Sequence, residues 1–217
     1  MNKTVKIIGV IMVCGLFLCQ PAIAGDAKKF GIGAIVSYYN TSSSEMGEVD
    51  TSFDTAPAIG LACTYHLTKH ISLELSSQFV QTDLDVEHDD KSGNLGKVKQ
   101  IPILLTGRLQ HLINKTNVNI YLGIGGGYFI NDFDQNQRQD LAEFFGVNVQ
   151  ADINNSIGWH ANVGAEMPFK DHYAVYADLK VIFNKAEFDL TYPDLTQDTK
   201  DVALNASIFG VGFKYYF

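Results

Sequence analysis

Phe209-Gly210-Val211-Gly212-Phe213-Lys214-Tyr215-Tyr216-Phe217 closes the chain. Counting back from the terminal Phe217, every second residue is large and apolar or aromatic, while Gly210, Gly212, Lys214 and Tyr216 fill the places between. Alternation with period two is the pattern of a strand whose two faces meet different surroundings. Here one face is greasy and the other is small, polar or charged.

The same pattern repeats upstream. Pro57, Ile59, Leu61, Cys63, Tyr65 and Leu67 alternate with Ala56, Ala58, Gly60, Ala62, Thr64 and His66. Ile71, Leu73, Leu75 and Phe79 oppose Ser72, Glu74, Ser76 and Gln78. In the next segment Ile101, Ile103, Leu105 and Leu109 oppose Pro102, Thr106, Arg108 and Gln110, with Leu104 the one large apolar residue on the second face. Val118, Ile120, Leu122, Ile124, Tyr128 and Ile130 then face away from Asn119, Tyr121, Gly123, Gly125 and Gly127. Ile157, Trp159, Ala161, Val163 and Met167 oppose Ser156, Gly158, His160, Asn162, Gly164 and Glu166, and Val175 to Phe183 oppose Tyr176, Asp178 and Lys180. With a weaker first strand, Phe30 to Tyr39, and a last one from about Val202 to Phe217, the count is eight.

Two eight-stranded barrels fit this count, and they differ in which face is apolar. A lipocalin-like barrel turns its apolar face inward around a ligand, whereas a membrane barrel turns it to lipid and fills its interior with polar and small residues. Glu74, Arg108, Glu166, Asp178, Lys180 and Lys214 all fall on the second face, three acids and three bases, and read as a charge-paired lumen network. An eight-stranded barrel is just wide enough for side chains to fill it, so glycines beside long charged side chains suit an interior. The spacing therefore predicts an all-β fold, an eight-stranded antiparallel up-and-down transmembrane β-barrel.

Connection lengths alternate long and short, as in outer-membrane barrels with short periplasmic turns and longer external loops. The long ones are read as 40–53, 83–97, 131–153 and 184–201, the short ones as 68–70, 111–117 and 168–171. Within the third long loop, Arg138 to Gly146 has the make-up of one short amphipathic helix. Phe213, Tyr215 and Phe217 resemble the C-terminal strand signal that barrel-assembly machinery receives as an unpaired edge.

Composition narrows the alternatives. The chain has 217 residues, 46% hydrophobic and 12% aromatic, with 19 glycines, too apolar for disorder. Its formal charge of −8 disfavours a nucleic-acid surface, which needs cations to replace condensed counterions. Residues 1–24 combine Lys3 and Lys6, an apolar run from Ile7 to Cys19, and Ala22-Ile23-Ala24, the layout of a cleaved signal peptide. The expected mature domain is 25–217, an outer-membrane barrel. It keeps only Cys63, and lipidation at Cys19 is disfavoured because the residues before it are not those of a lipoprotein signal. The four long connections carry the acidic excess, and the rest of the mature chain is net positive.

At the level of motifs the chain resembles the OmpW family of small outer-membrane barrels. The likeness rests on Ile59-Gly60-Leu61 through Tyr65, His70-Ile71-Ser72-Leu73-Glu74-Leu75, and Lys99-Gln100-Ile101-Pro102 opening a strand. It continues in Ile120-Tyr121-Leu122-Gly123-Ile124-Gly125-Gly126-Gly127-Tyr128 and in Val163-Gly164-Ala165-Glu166 before Lys170-Asp171. The first strand and first loop show no convincing match. The resemblance implies a cell-outer-membrane channel or binder for small hydrophobic molecules that are released sideways into the membrane above a plugged lumen. On that reading Val80 and Phe129 are candidate pocket residues and Pro102 a lateral opening, since proline lacks a ladder N–H. The implied partners are outer-membrane lipid, lipopolysaccharide and small hydrophobic compounds, with no nucleic acid and no cofactor. A generic barrel with a structural or surface-adhesion role is the alternative.

A third class is a lipid-modifying barrel enzyme, for which His70-Ile71-Ser72 supplies a His-x-Ser pair. His70 borders a short turn, at the wrong end for outer-leaflet lipid, so no catalytic residue is assigned. His66 and His160 have no close metal-ligand partner in sequence. Asp132, Asp134, Asn136, Asp140 and Glu143 match places in a calcium loop, but Gln137 stands where the turn needs glycine, so no metal site is assigned. Gly125-Gly126-Gly127 opens no helix and is read as close packing against the lumen contents rather than a phosphate loop.

Overall fold

A computed structural model describes residues 29–42, 44–46, 49–53, 55–88, 91–134, 150–191 and 197–217. Eight barrel strands follow one another: β1 Phe30–Thr41, β2 Ala56–His66, β3 Ile71–His88, β4 Lys91–Ile113, β5 Val118–Asp134, β6 Ser156–Pro168, β7 Tyr173–Thr191 and β8 Ala206–Tyr216. Each pairs antiparallel with its sequence neighbours, and β8 returns to β1 through a continuous register from Gly31↔Tyr216 to Thr41↔Ala206. The meander closes on itself, so these strands leave no open edge. The expected signal segment 1–24, the expected helix at 138–146 and most of the calcium-like loop lie outside the described residues.

Burial is inverted relative to a water-soluble fold. Ile157, Leu122 and Ile59 are 79%, 65% and 64% exposed, while Lys214 and His160 are wholly buried. Hydrocarbon covers such an exterior favourably, and the closed ladder leaves lipid no unpaired backbone groups to face. Aromatic side chains gather at both rims of the belt. Tyr173, Phe213, Tyr215 and Phe217 form a chain of ring contacts at the short-turn end, and Trp159 stacks on Phe183 at 4.1 Å towards the other. Rings with an apolar body and a polar edge suit the two interfaces of a bilayer.

At the other end the structure corrects the expected loops. The 83–97 stretch is largely a hairpin, with β3 running to His88 and β4 starting at Lys91, and the register shifts between Leu84 and Asp85. In 40–53, short strands Ser44–Met46 and Val49–Phe53 pair with each other, and the second also pairs with β3. β7 runs to Thr191, where Gln150–Ile153 and Gln197–Ala203 pair with it. The last barrel strand therefore begins at Ala206, not near Val202. Polar side chains suit both faces of a ladder that has left the lipid, so acids and glycines there hide strand from a hydrophobicity pattern. At the opposite end the turns are tight: Asn117 takes φ 54° in the turn between β4 and β5, a left-handed conformation that asparagine tolerates.

Glycines on the inner face make room for neighbours. A Cβ on Gly33 would stand 2.6 Å from Cγ of Lys214, and one on Gly125 would stand 2.7 Å from the His160 ring. Gly123, Gly125 and Gly127 of β5 are thus backbone cut back to admit lumen side chains.

Candidate functional site

The inner faces of the strands stack the lumen contents into tiers. Nearest the short-turn end, the six sequence-predicted charges meet in one network. Glu74 on β3 accepts from Arg108 Nη2, from Lys214 Nζ at 3.1 Å and from the Thr64 hydroxyl at 3.1 Å. Lys214 on β8 also donates to Glu166 at 3.1 Å, and Glu166 accepts from the Tyr216 hydroxyl at 2.6 Å. Arg108 lies 3.6 Å from Asp178, which accepts from Tyr121 at 2.9 Å and Asn162 at 2.6 Å, with Lys180 4.0 Å away. The cations also face rings, with Arg108 4.2 Å from the Tyr121 centroid and Lys214 4.5 Å from that of Tyr176. Desolvating a lone charge costs several kcal/mol. Six charges of balanced sign, each with an opposite neighbour, can be buried together, and they occupy the passage that water would need.

Above this network lies an apolar tier. Tyr39, Ala56, Ala58, Val80, Leu104, Phe129, Ile182, Ala206 and Ile208 form one buried cluster. Val80 and Phe129 both belong to it. Phe129 is seated against Gly158, where a Cβ would stand 3.0 Å from its ring. Over the tier runs an uncharged strap. The Tyr39 hydroxyl donates to Gln100 Oε1 at 2.6 Å across the lumen, Gln100 Nε2 donates to Asn131 Oδ1 at 2.9 Å, and Asn131 Nδ2 donates to the Asn154 carbonyl at 2.9 Å. Beside the strap a small void of about 10 Å³ is bounded by Tyr39, Val80, Val98, Gln100 and Leu204. The tier is packed rather than open.

Pro102 faces inward and is fully buried. On its β5 side the ladder is unbroken, with Pro102↔Phe129 in register. On its β3 side the register is the same before and after the proline, Ser77↔Ile103 and Val80↔Gln100, and the ladder is interrupted only at Gln78 and Phe79, opposite Pro102 and Ile101. A proline cannot donate there, so the wall beside the apolar tier lacks a ladder bond at this point.

His70 and Ser72 do not form a catalytic pair. The buried Ser72 hydroxyl donates to Gln110 Oε1 at 3.2 Å, and exposed His70 sits 3.4 Å from the Gln110 carbonyl. Inside, His160 Nε2 lies 2.8 Å from the Thr106 hydroxyl. Phe213, Tyr215 and Phe217 form the outward row of β8, and the Phe217 amide bonds to the Phe30 carbonyl at the closing seam. Sequence reasoning missed the strap and the tier members Tyr39, Ile182 and Ile208. All three occupy the even or odd positions that alternation assigns inward, but their meeting across the lumen is set by strand stagger, which no single strand encodes.

An apolar belt, a closed eight-stranded meander and a charge-filled lumen define an integral outer-membrane β-barrel. Residues 10–217 match the model of the outer membrane protein beta-barrel domain, and the chain belongs to that family. No curated protein matches the sequence. Among solved structures, OprG of Pseudomonas aeruginosa aligns with TM-score 0.73 and 18% identity over 89% of this chain and 98% of that one. AlkL in lipid bilayers gives 0.61 and 15% over 91% and 95%, and outer membrane protein W of E. coli gives 0.52 and 17% over 89% and 100%. The fold is that of these small barrels, and in outer-membrane barrels the short turns lie on the periplasmic side.

Proposed function

We propose that the barrel admits small hydrophobic molecules from the outer side into the apolar tier and releases them sideways into the membrane. The carrying observation is the ladder interruption at Pro102, which makes the β3–β4 wall weakest at the level of Val80 and Phe129. The charged tier beneath supports a sideways exit, because an apolar guest gains nothing by crossing it. The OmpW-family motifs read from the sequence imply the same reading. Phe213, Tyr215 and Phe217 serve the assembly machinery as an edge signal, and the acidic outer loops face lipopolysaccharide.

The exit can be sealed. In a Cys63→Ser background, cysteines at Phe79 and Ile101 face each other across the gap and form a disulfide on oxidation. Entry of N-phenyl-1-naphthylamine into vesicles with a lipopolysaccharide outer leaflet should exceed the protein-free rate several-fold for the reduced protein. Oxidation should return it to that rate, and reductant should restore it. An oxidised rate equal to the reduced one overturns lateral release. No gain over protein-free vesicles for the unmodified barrel overturns the conduit and leaves a structural role.

A further inference from the structure

Asn184 on β7 is unlike the other lumen amides. Gln100 and Asn131 engage both ends of their side chains, and Gln78 accepts from the Ser37 hydroxyl at 2.7 Å. Asn184 is 2% exposed, yet neither its Oδ1 nor its Nδ2 has a protein partner. Its backbone is satisfied: the amide donates to Asn205 Oδ1 at 3.1 Å, and the carbonyl accepts from Leu204 at 2.8 Å. Only the side chain is left over. Leaving a buried amide without partners is destabilising, because its desolvation is not offset.

Its position gives the orphan amide a meaning. Asn184 pairs in register with Gly158, whose missing Cβ would touch both the Asn184 Cβ, at 3.1 Å, and the Phe129 ring. The amide therefore lies at the edge of the apolar tier, two residues from Ile182. On its other side Ala186, Val202 and Leu204 are buried and apolar. A donor and an acceptor sit together on an otherwise greasy wall. Charged lumen groups are absent from these neighbours, so an ionised guest would meet no counter-charge to offset its desolvation.

We propose that Asn184 is the head-group site for a neutral amphiphile: an aliphatic chain that packs in the apolar tier and carries an uncharged head able to donate and accept at once. A carboxamide fits best, accepting from Nδ2 and donating to Oδ1 in a paired arrangement. This rests on the proposed entry of apolar guests into the tier and adds the class of guest. A hydrocarbon of the same length must displace the same tier side chains but leaves the amide unmatched.

The test uses the full mature barrel in lipid nanodiscs, titrated with octanamide or with n-octane and followed by NMR. The Asn184 side-chain NH₂ signal is identified by its loss in Asn184→Leu, and methyl signals of Val80, Leu104 and Ile182 report the tier. Octanamide should shift both sets, bind about tenfold more tightly than n-octane, and lose that preference in Asn184→Leu. Heat-modifiable gel migration establishes that the variant folds; if it does not, Asn184→Ala and the wild-type NH₂ signal carry the same comparison. Equal methyl shifts with both compounds and an unmoved NH₂ signal overturn the head-group site while leaving guest entry intact, as expected if bound water satisfies the amide. No tier shift with either compound overturns both.

Discussion

The two closures of the lumen differ in their chemistry. Near the periplasm, Glu74, Glu166 and Asp178 are tied to Arg108, Lys180 and Lys214 by contacts that all carry charge. Towards the outside, the closure is made of hydrocarbon and of neutral bonds from Tyr39 through Gln100 to Asn131. Opening the first would strand buried charges, whereas opening the second breaks one hydrogen bond at a time, each worth about 0.5–1.5 kcal/mol net. The difference separates a permanent floor from a ceiling that can yield.

Substitutions can break that contrast. Lys214→Met should have the largest effect, because it leaves Glu74 and Glu166 without their shared cation; removing one partner of a buried pair costs about 3–5 kcal/mol. The urea midpoint for unfolding in detergent should fall sharply, and a midpoint within error of wild type would show that the floor is not held by charge. Phe129→Ala follows at about 3 kcal/mol, the lower range for emptying a buried aromatic site, and should speed probe entry by enlarging the tier. A destabilised variant with unchanged entry would separate the tier from passage. Smallest is Tyr39→Phe, at about 1 kcal/mol. It removes only the bond to Gln100, and should raise the entry rate several-fold without moving the unfolding midpoint much. If Tyr39→Phe costs as much as Lys214→Met, the ceiling is as rigid as the floor and the contrast fails.

Much of this could be read from the chain, and the limits have physical causes. Alternation assigned Glu74, Arg108, Glu166, Asp178, Lys180 and Lys214 to one face because lipid tolerates none of them on the other. Val80 and Phe129 were legible in the same way. The strap was not, because Tyr39 on β1 and Gln100 on β4 are 61 residues apart and meet only after the barrel has closed. Hairpins read as loops because the odd positions of β3, apolar at Ile71, Leu73, Leu75 and Phe79, become Gln81 and Asp83 where the ladder rises beyond the belt. There the ladder needs hydrogen bonds but no greasy face. Asn184 was passed over because alternation reports direction, not whether a partner waits at the end of it.

Lys214 lies three residues before the last and binds acids contributed by β3 and β6. The strand that neutralises the interior is therefore also the one that seals the sheet against β1. Before that strand docks, Glu74 and Glu166 lack their common counter-charge and the sheet has two open edges. Joining the seam removes both defects in one step, so an incomplete barrel is marked twice as unfinished, by its edges and by its electrostatics. Sheet closure and charge balance are thus coupled in this chain: the same strand supplies the missing edge and the missing cation.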